Sequence, residues 1–211
     1  MSATQQTAPA GAEPGSPHPP PARLGLFGGS FDPVHLGHLL VAQAAQEEFG
    51  LDRVYFIPAA QSPFKPASPP APAPQRLRLL RLALAGRPAW EVDDREIRRA
   101  GVSFTIETAR EYAAQHPGAR LFYLIGADHV PSLPQWREAE ALAHLVEFLV
   151  IPRPGESPAP LPAPFQLRTL RGFPLGVSSS EIRARVRAGR PIDLLVPGPV
   201  AEAIRNNRLY L

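Results

Sequence analysis

From Arg23 onward, short unbroken apolar runs alternate with stretches whose apolar residues recur at helical spacing. RLGLFG (23–28) predicts a buried strand, LGHLLVAQAAQEEFG (36–50) a helix closed by Gly50, and DRVYFIP (52–58) a second strand stopped at Pro58. The proline-laden segment 59–75 predicts a loop, QRLRLLRLALAG (75–86) a helix, and WEVDD (90–94) a strand. Then come a helix over 105–116, a strand over 119–126, a loop leading into a helix over 134–145, and a strand over 146–152. A second proline-rich connection (153–164) precedes a strand at 165–170, a serine-capped helix at 178–189 and a short terminal helix within 196–211. Strand and helix patterns in this order predict an α/β fold, Rossmann-like and doubly wound, with a mainly parallel sheet and helices on both faces.

Composition changes this picture at the edges. The chain of 211 residues is long enough for one ordinary domain, which the pattern places at 23–211. Residues 1–22 are Pro/Ala/Gly-rich with almost no large apolar side chains, which predicts a disordered tail. That segment has neither the charged nor the apolar region of a signal peptide, and no later apolar run is long enough to span a bilayer. No cysteine is present, so disulfides, thiolate metal sites and cysteine nucleophiles are excluded. The expectation is a cytoplasmic protein with no membrane partner. A net charge of +3, carried by arginines and the single lysine Lys65, argues for a mildly basic phosphate site and against a nucleic-acid surface.

The densest chemistry lies in GLFGGSFDPVHLGHLL, residues 25–40, at a predicted strand-to-helix junction. Such junctions bind anions because free N–H groups and the helix dipole meet there. Gly28 and Gly29 remove side chains where a phosphate approaches the backbone, and Ser30 offers a hydroxyl. His35 and His38, spaced i and i+3, project from one face of the first helical turn, where imidazoles hydrogen-bond phosphate oxygens and, when protonated, stabilise transferred charge. A P-loop is excluded by the lack of any Gly-Lys pair, and a dinucleotide fingerprint by G-x-x-G-G in place of G-x-G-x-x-G. Asp32 before Pro33 also reads as a turn signal.

GGSFDPVHLGH resembles the signature of the nucleotidyltransferase superfamily with an H-x-G-H motif, and in particular bacterial nicotinate-nucleotide adenylyltransferases. Three further segments are similar. DREIRRAGVSFTIETA carries Glu96, Arg99, Gly101, Ser103, Thr105 and Thr108 in the expected positions, with Thr105 able to cap the following helix. YLIGADHVPSLPQW supplies Gly126, Asp128, Leu133 and Trp136, and VSSSEIRARV supplies Ser178, Ser179, Ser180 and Arg183. One position departs from the pattern: Phe64 stands where the family commonly has a histidine, beside Lys65.

The resemblance implies adenylyl transfer from ATP to nicotinate mononucleotide, a step of NAD biosynthesis, giving deamido-NAD and pyrophosphate. It implies that Gly28, Gly29, Ser30, Phe31, Lys65, Ser179, Ser180 and Arg183 bind ATP phosphates and that His35 and His38 act on the transferred phosphoryl group. Thr105, Asp128 and Trp136 would bind the acceptor, an indole being suited to stack on a pyridine ring. Magnesium (Mg2+) would travel on the ATP phosphates, since no carboxylate cluster in the sequence suggests a protein cage. A homo-oligomer is compatible with the sequence. Two other readings stay open at this point: an adenylyltransferase for nicotinamide mononucleotide or another phosphorylated acceptor, and a nucleotide-binding regulator without catalysis.

Overall fold

The computed structural model describes residues 22–63, 70–152, 161–173 and 175–211. The tail expected up to residue 22 therefore falls almost wholly outside the described residues, as do Phe64, Lys65 and most of the 153–164 connection.

Six strands, β1 (Arg23–Gly29), β2 (Arg53–Pro58), β3 (Trp90–Val92), β4 (Arg120–Gly126), β5 (Val146–Ile151) and β6 (Leu167–Thr169), pair in the order β3-β2-β1-β4-β5-β6. Every pairing is parallel, with Leu26 in register with Tyr55 on β2 and with Tyr123 on β4. The chain winds outward on both sides of β1 and β4, so a crevice opens between their C-terminal ends, where ligands bind in such sheets.

Side chains alternate across the sheet with period two. Phe27, Val54, Phe56, Phe122, Leu124 and Leu149 face the layer formed by α1 (Leu36–Phe49), α2 (Ala73–Leu84), α6 (Ser179–Arg187) and α7 (Gly198–Asn206). Leu24, Leu26, Tyr55, Ile57, Leu121, Ile125 and Phe148 face α4 (Thr105–Gln115) and α5 (Ala139–Leu145). Strands buried on both faces explain why they read as continuous apolar runs.

Helix ends follow local chemistry. Gly50 takes a left-handed conformation, φ 55°, and closes α1, its N–H reaching the Gln46 carbonyl. Ser178 accepts from the Glu181 N–H at 3.1 Å and caps α6. α2 starts at Ala73, inside the segment expected to be loop, because Pro74 occupies the first turn, where a missing N–H costs nothing. Two elements differ more. A short helix, α3 (Arg95–Arg99), follows β3. Residues Ala127–Gln135 form a 3-10 helix containing Pro131 and Pro134, and α5 begins only at Ala139, after Glu138 adopts φ 52°. Prolines that lack an N–H, followed by a left-handed residue, prevent the single α-helix expected from residue 134.

Candidate active site

The crevice is a cavity of about 700 Å³. It is lined by Gly28, Gly29, Ser30, Phe31, His35, His38, Thr105, Asp128, Trp136, Ser179, Ser180 and Arg183, which are all the sequence-predicted site residues that are described. Lys65 lies outside the described residues.

At the end of β1, neither glycine of the pair has positive φ, so space and not backbone freedom demands them. A Cβ on Gly28 would lie 2.4 Å from the Tyr123 hydroxyl, and one on Gly29 would lie 3.1 Å from the Phe31 ring. Phe31 itself has φ 46° and is buried, its ring edge-on to Phe27 and, at 4.9 Å, to His38. Any phosphate contact by Phe31 is therefore made by its backbone, while its ring supports the histidine.

His35 occupies the cap position of α1, and His38 lies one turn on, the ring centroids 3.7 Å apart. The His35 N–H donates to His38 Nδ1 at 3.2 Å. In neutral His38 the proton is then on Nε2, which leaves that nitrogen as a donor. Gly37 makes the arrangement fit: a Cβ there would meet His35 Nδ1 and Val177, each at 3.0 Å. His35 Nδ1 is buried and has no hydrogen-bond partner among the described residues.

Burial pushes the His35 imidazole down to about 4. Burial, and then the adjacent His35, hold His38 well below its ordinary value of 6.5. Both rings are thus neutral near pH 7 and offer N–H groups, in place of the positive charge expected from sequence. A bound polyphosphate opposes this shift, because an anion favours the charged imidazole. The same values carry a stability consequence. Between pH 6.5 and about 4 the unfolded chain binds protons at these positions that the folded chain refuses, so stability is full above 6.5 and falls as pH falls through that window. Thermal melts from pH 7 to pH 4.5 should show this slope, and His35→Asn should make it shallower; an unchanged slope in the variant would contradict the assignment.

The opposite wall is the start of α6. Ser179 Oγ donates to the Pro33 carbonyl at 2.9 Å, and Arg183 donates to the Asp32 carbonyl at 2.7 Å and to Ser180 Oγ at 3.2 Å. A guanidinium and hydroxyls are thereby fixed against the β1–α1 loop, an arrangement suited to the outer phosphates of a nucleotide.

A third wall is made by β4 and the 3-10 helix. Gly126 leaves room for Asp128, whose Oδ1 would be 2.4 Å from an added Cβ. Trp136 stands edge-on to Tyr123 at 6.1 Å and its indole N–H donates to Ser132 at 3.3 Å. Thr105 is not a cap. Phe104 takes the cap position, and the Thr105 hydroxyl instead donates to Tyr123 at 3.3 Å. Most of the surrounding motif holds structure together. Thr108 donates to buried Glu96 at 2.7 Å and accepts from Arg99 at 3.1 Å, and Ser103 accepts the Ala60 N–H at 3.0 Å, binding α3 and α4 to the loop after β2. Burial raises the Glu96 carboxyl, opposed by its hydroxyl donors and Arg99.

Sequence reasoning passed over Tyr123, Arg76 and Tyr210. Tyr123 is hidden in an ordinary strand pattern. Arg76 carried a readable signal, since it shares the apolar phase of α2 with Leu79, Leu80 and Ala83 and is only 1% exposed.

Among the described residues no group of three or more His, Asp or Glu side chains is placed to hold a metal. The cavity wall carries imidazoles, hydroxyls and a guanidinium, which suit phosphate oxygens, together with the carboxylates of Asp32, Glu96, Asp128 and Glu181.

An all-parallel doubly wound sheet with a histidine pair at its central crevice is the arrangement of a nucleotidyltransferase, and the cytidylyltransferase-like family model matches residues 26–185. Relatives carry the narrower name "probable nicotinate-nucleotide adenylyltransferase": one from Opitutus terrae is 41% identical over 89% of this chain and 97% of its own length, and one from Bordetella pertussis is 42% identical over 89% and 98%. The chain belongs to the nicotinate-nucleotide adenylyltransferase family within the cytidylyltransferase-like group. In fold it is similar to the solved Plasmodium falciparum nicotinic acid mononucleotide adenylyltransferase complexed with NaAD, at a TM-score of 0.71 and 16% identity, covering 90% of this chain and 97% of that one.

Proposed function

We propose that this chain transfers the adenylyl group of Mg-ATP to nicotinate mononucleotide, releasing deamido-NAD and pyrophosphate. The observation that carries this reading is one cavity in which the glycine loop and histidine pair face both a phosphate-binding helix start and an indole. The acceptor phosphate attacks the α-phosphorus in line, a P–O bond forms as the bond to the β-phosphate oxygen breaks, and pyrophosphate leaves. No protein nucleophile takes part. Catalysis is then positioning and charge stabilisation.

In this reading Gly28, Gly29 and Ser30 hold phosphate through backbone and hydroxyl, and the imidazole N–H groups of His35 and His38 meet the charge that grows on the α-phosphate oxygens. Ser179, Ser180 and Arg183 receive the departing pyrophosphate. Magnesium comes with the substrate, bound to ATP oxygens. On the acceptor side Asp128 accepts from ribose hydroxyls and Trp136 stacks on the pyridine. The N-terminus of α4, with Thr105 and Ile106 on the cavity wall, favours an acid over a neutral amide, because the positive end of a helix dipole faces it. The reaction is placed in the cytoplasm, where both nucleotides are at hand. Among the described residues no helix is long and apolar enough to cross a membrane.

ATP labelled at the α-phosphorus tests the chemistry: the label should appear in the dinucleotide with nicotinate mononucleotide present. Label in free AMP would make the protein a hydrolase, and unconsumed ATP would leave a nucleotide-binding regulator. Trp136→Ala should raise KM for the acceptor about tenfold through lost stacking and leave KM for ATP near its original value. Equal shifts for both substrates would remove Trp136 from the acceptor site.

A further inference from the structure

The two phosphate-binding strips of the site come from chain segments far apart in sequence, yet both end on the same two residues. Arg183 donates to the carbonyl of Asp32 at 2.7 Å, and Ser179 to that of Pro33 at 2.9 Å. What holds Asp32 in turn is a set of buried and half-buried groups outside the mechanism. Its Oδ1 accepts from the Tyr210 hydroxyl at 2.9 Å, across 178 residues of chain, and its Oδ2 accepts from the Ala71 N–H at 3.2 Å. Arg76, 1% exposed, donates through Nε to the Ala71 carbonyl at 2.9 Å and through an Nη to the Ser30 carbonyl at 2.8 Å. One guanidinium thus fixes the backbone on both sides of the Asp32 carboxylate.

Charge gives this cluster a purpose beyond packing. Asp32 is only 6% exposed, and a buried carboxylate demands a cation. Two are near: Arg76, which the Asp32 charge helps to keep protonated against burial, and Arg183, whose Nη lies 3.8 Å from Oδ2. Arg183 is thus the cation within ion-pair distance of the carboxylate, Arg76 acts on it from farther off while its donors hold the Ala71 and Ser30 carbonyls, and the Tyr210 hydroxyl is the side-chain donor directly on it. Burial and the neighbouring carboxylate keep the Tyr210 phenol protonated, so it is the donor.

We infer that Tyr210 and Arg76 are positioning residues for the ATP side of the site: by satisfying Asp32 they keep Arg183 directed at the nucleotide phosphates and keep the Ser30 loop in register with α6. The inference rests on the adenylyltransferase reading. Without the Tyr210 hydroxyl, the Asp32 carboxylate lacks a donor that Arg183 is close enough to replace, and Arg183 turns from substrate to protein.

Tyr210→Phe removes one oxygen and leaves the ring. With the full chain, KM for ATP in the forward direction and KM for pyrophosphate in the reverse direction should each rise about five- to tenfold, while KM for nicotinate mononucleotide and kcat at saturation stay within about twofold. Arg76→Lys, which keeps a charge but not two directed donors, should give the same split. Asp193→Asn, which breaks the exposed Asp193–Arg205 pair beside α7, serves as the control for general loosening of this region and should leave all these constants unchanged. Unchanged KM values in both Tyr210→Phe and Arg76→Lys, or a rise shared equally by the acceptor, would overturn the inference. An inactive wild-type protein would instead defeat the underlying functional reading.

Discussion

Replacing His38 by alanine should lower kcat by ~10²–10³-fold, the usual effect of removing one donor aimed at developing charge, with little change in either KM. The reasoning runs from geometry to proton location. The His35 N–H occupies His38 Nδ1, so Nε2 carries the proton and is the donor left to a ring that lines the cavity. The acceptor phosphate and ATP are already charged in the ground state, and an N–H group held at the α-phosphate interacts best with the additional charge of the transition state. Alanine also removes the acceptor for the His35 N–H, which costs about 1 kcal/mol in stability. His38→Asn separates these effects, because the amide oxygen of asparagine stands near the place of Nδ1 but nothing replaces Nε2. Its melting temperature should approach wild type while kcat stays as low as in His38→Ala. Recovery of turnover in His38→Asn would move the catalytic function elsewhere.

Gly28→Ala should have the second largest effect. The added methyl would lie 2.4 Å from the Tyr123 hydroxyl and 3.3 Å from Cζ of the same ring, so the hydroxyl oxygen is the principal clash. Tyr123 is a ring in a strand between Leu121–Phe122 and Leu124–Ile125, tied to Thr105 by a hydrogen bond that a shift of its hydroxyl would strain. The overpacking should cost about 1–3 kcal/mol, and because the displaced backbone carries the phosphate loop, kcat/KM should fall at least about tenfold. Tyr123→Phe removes the offending oxygen. The double variant Gly28→Ala/Tyr123→Phe should therefore recover part of the lost stability and activity, a coupling read by a double-mutant cycle. Additive losses would mean that the two positions do not meet as described.

The strands and long helices were legible because a doubly buried strand leaves an unbroken apolar run and an amphipathic helix leaves a 3.6-residue period. The candidate anion site was legible for a different reason: a glycine pair, Ser30 and two histidines fall within one strand-to-helix junction. What was not legible depends on contacts across the fold. α3 spans only Arg95–Arg99, too short for a period to emerge, and the 3-10 helix is built around two prolines that read as breakers. Gly28 was understood as room for phosphate, but the structure gives the same space to the Tyr123 hydroxyl, a partner nothing in the local sequence names. Arg76 stands in the apolar phase of α2, a position that marks a buried cation. The charge near it on Asp32, and the Tyr210 hydroxyl that donates to Asp32, come close only across the fold, 178 residues separating Asp32 from Tyr210.

The most direct test of the central claim is pyrophosphate release from Mg-ATP with nicotinate mononucleotide, nicotinamide mononucleotide and phosphopantetheine offered in parallel. An adenylyltransferase with an acid-selecting acceptor site should release pyrophosphate with a clear preference in kcat/KM for nicotinate mononucleotide over the amide, and none with phosphopantetheine. Preference for the amide or for phosphopantetheine, or no release with any of the three, would contradict it.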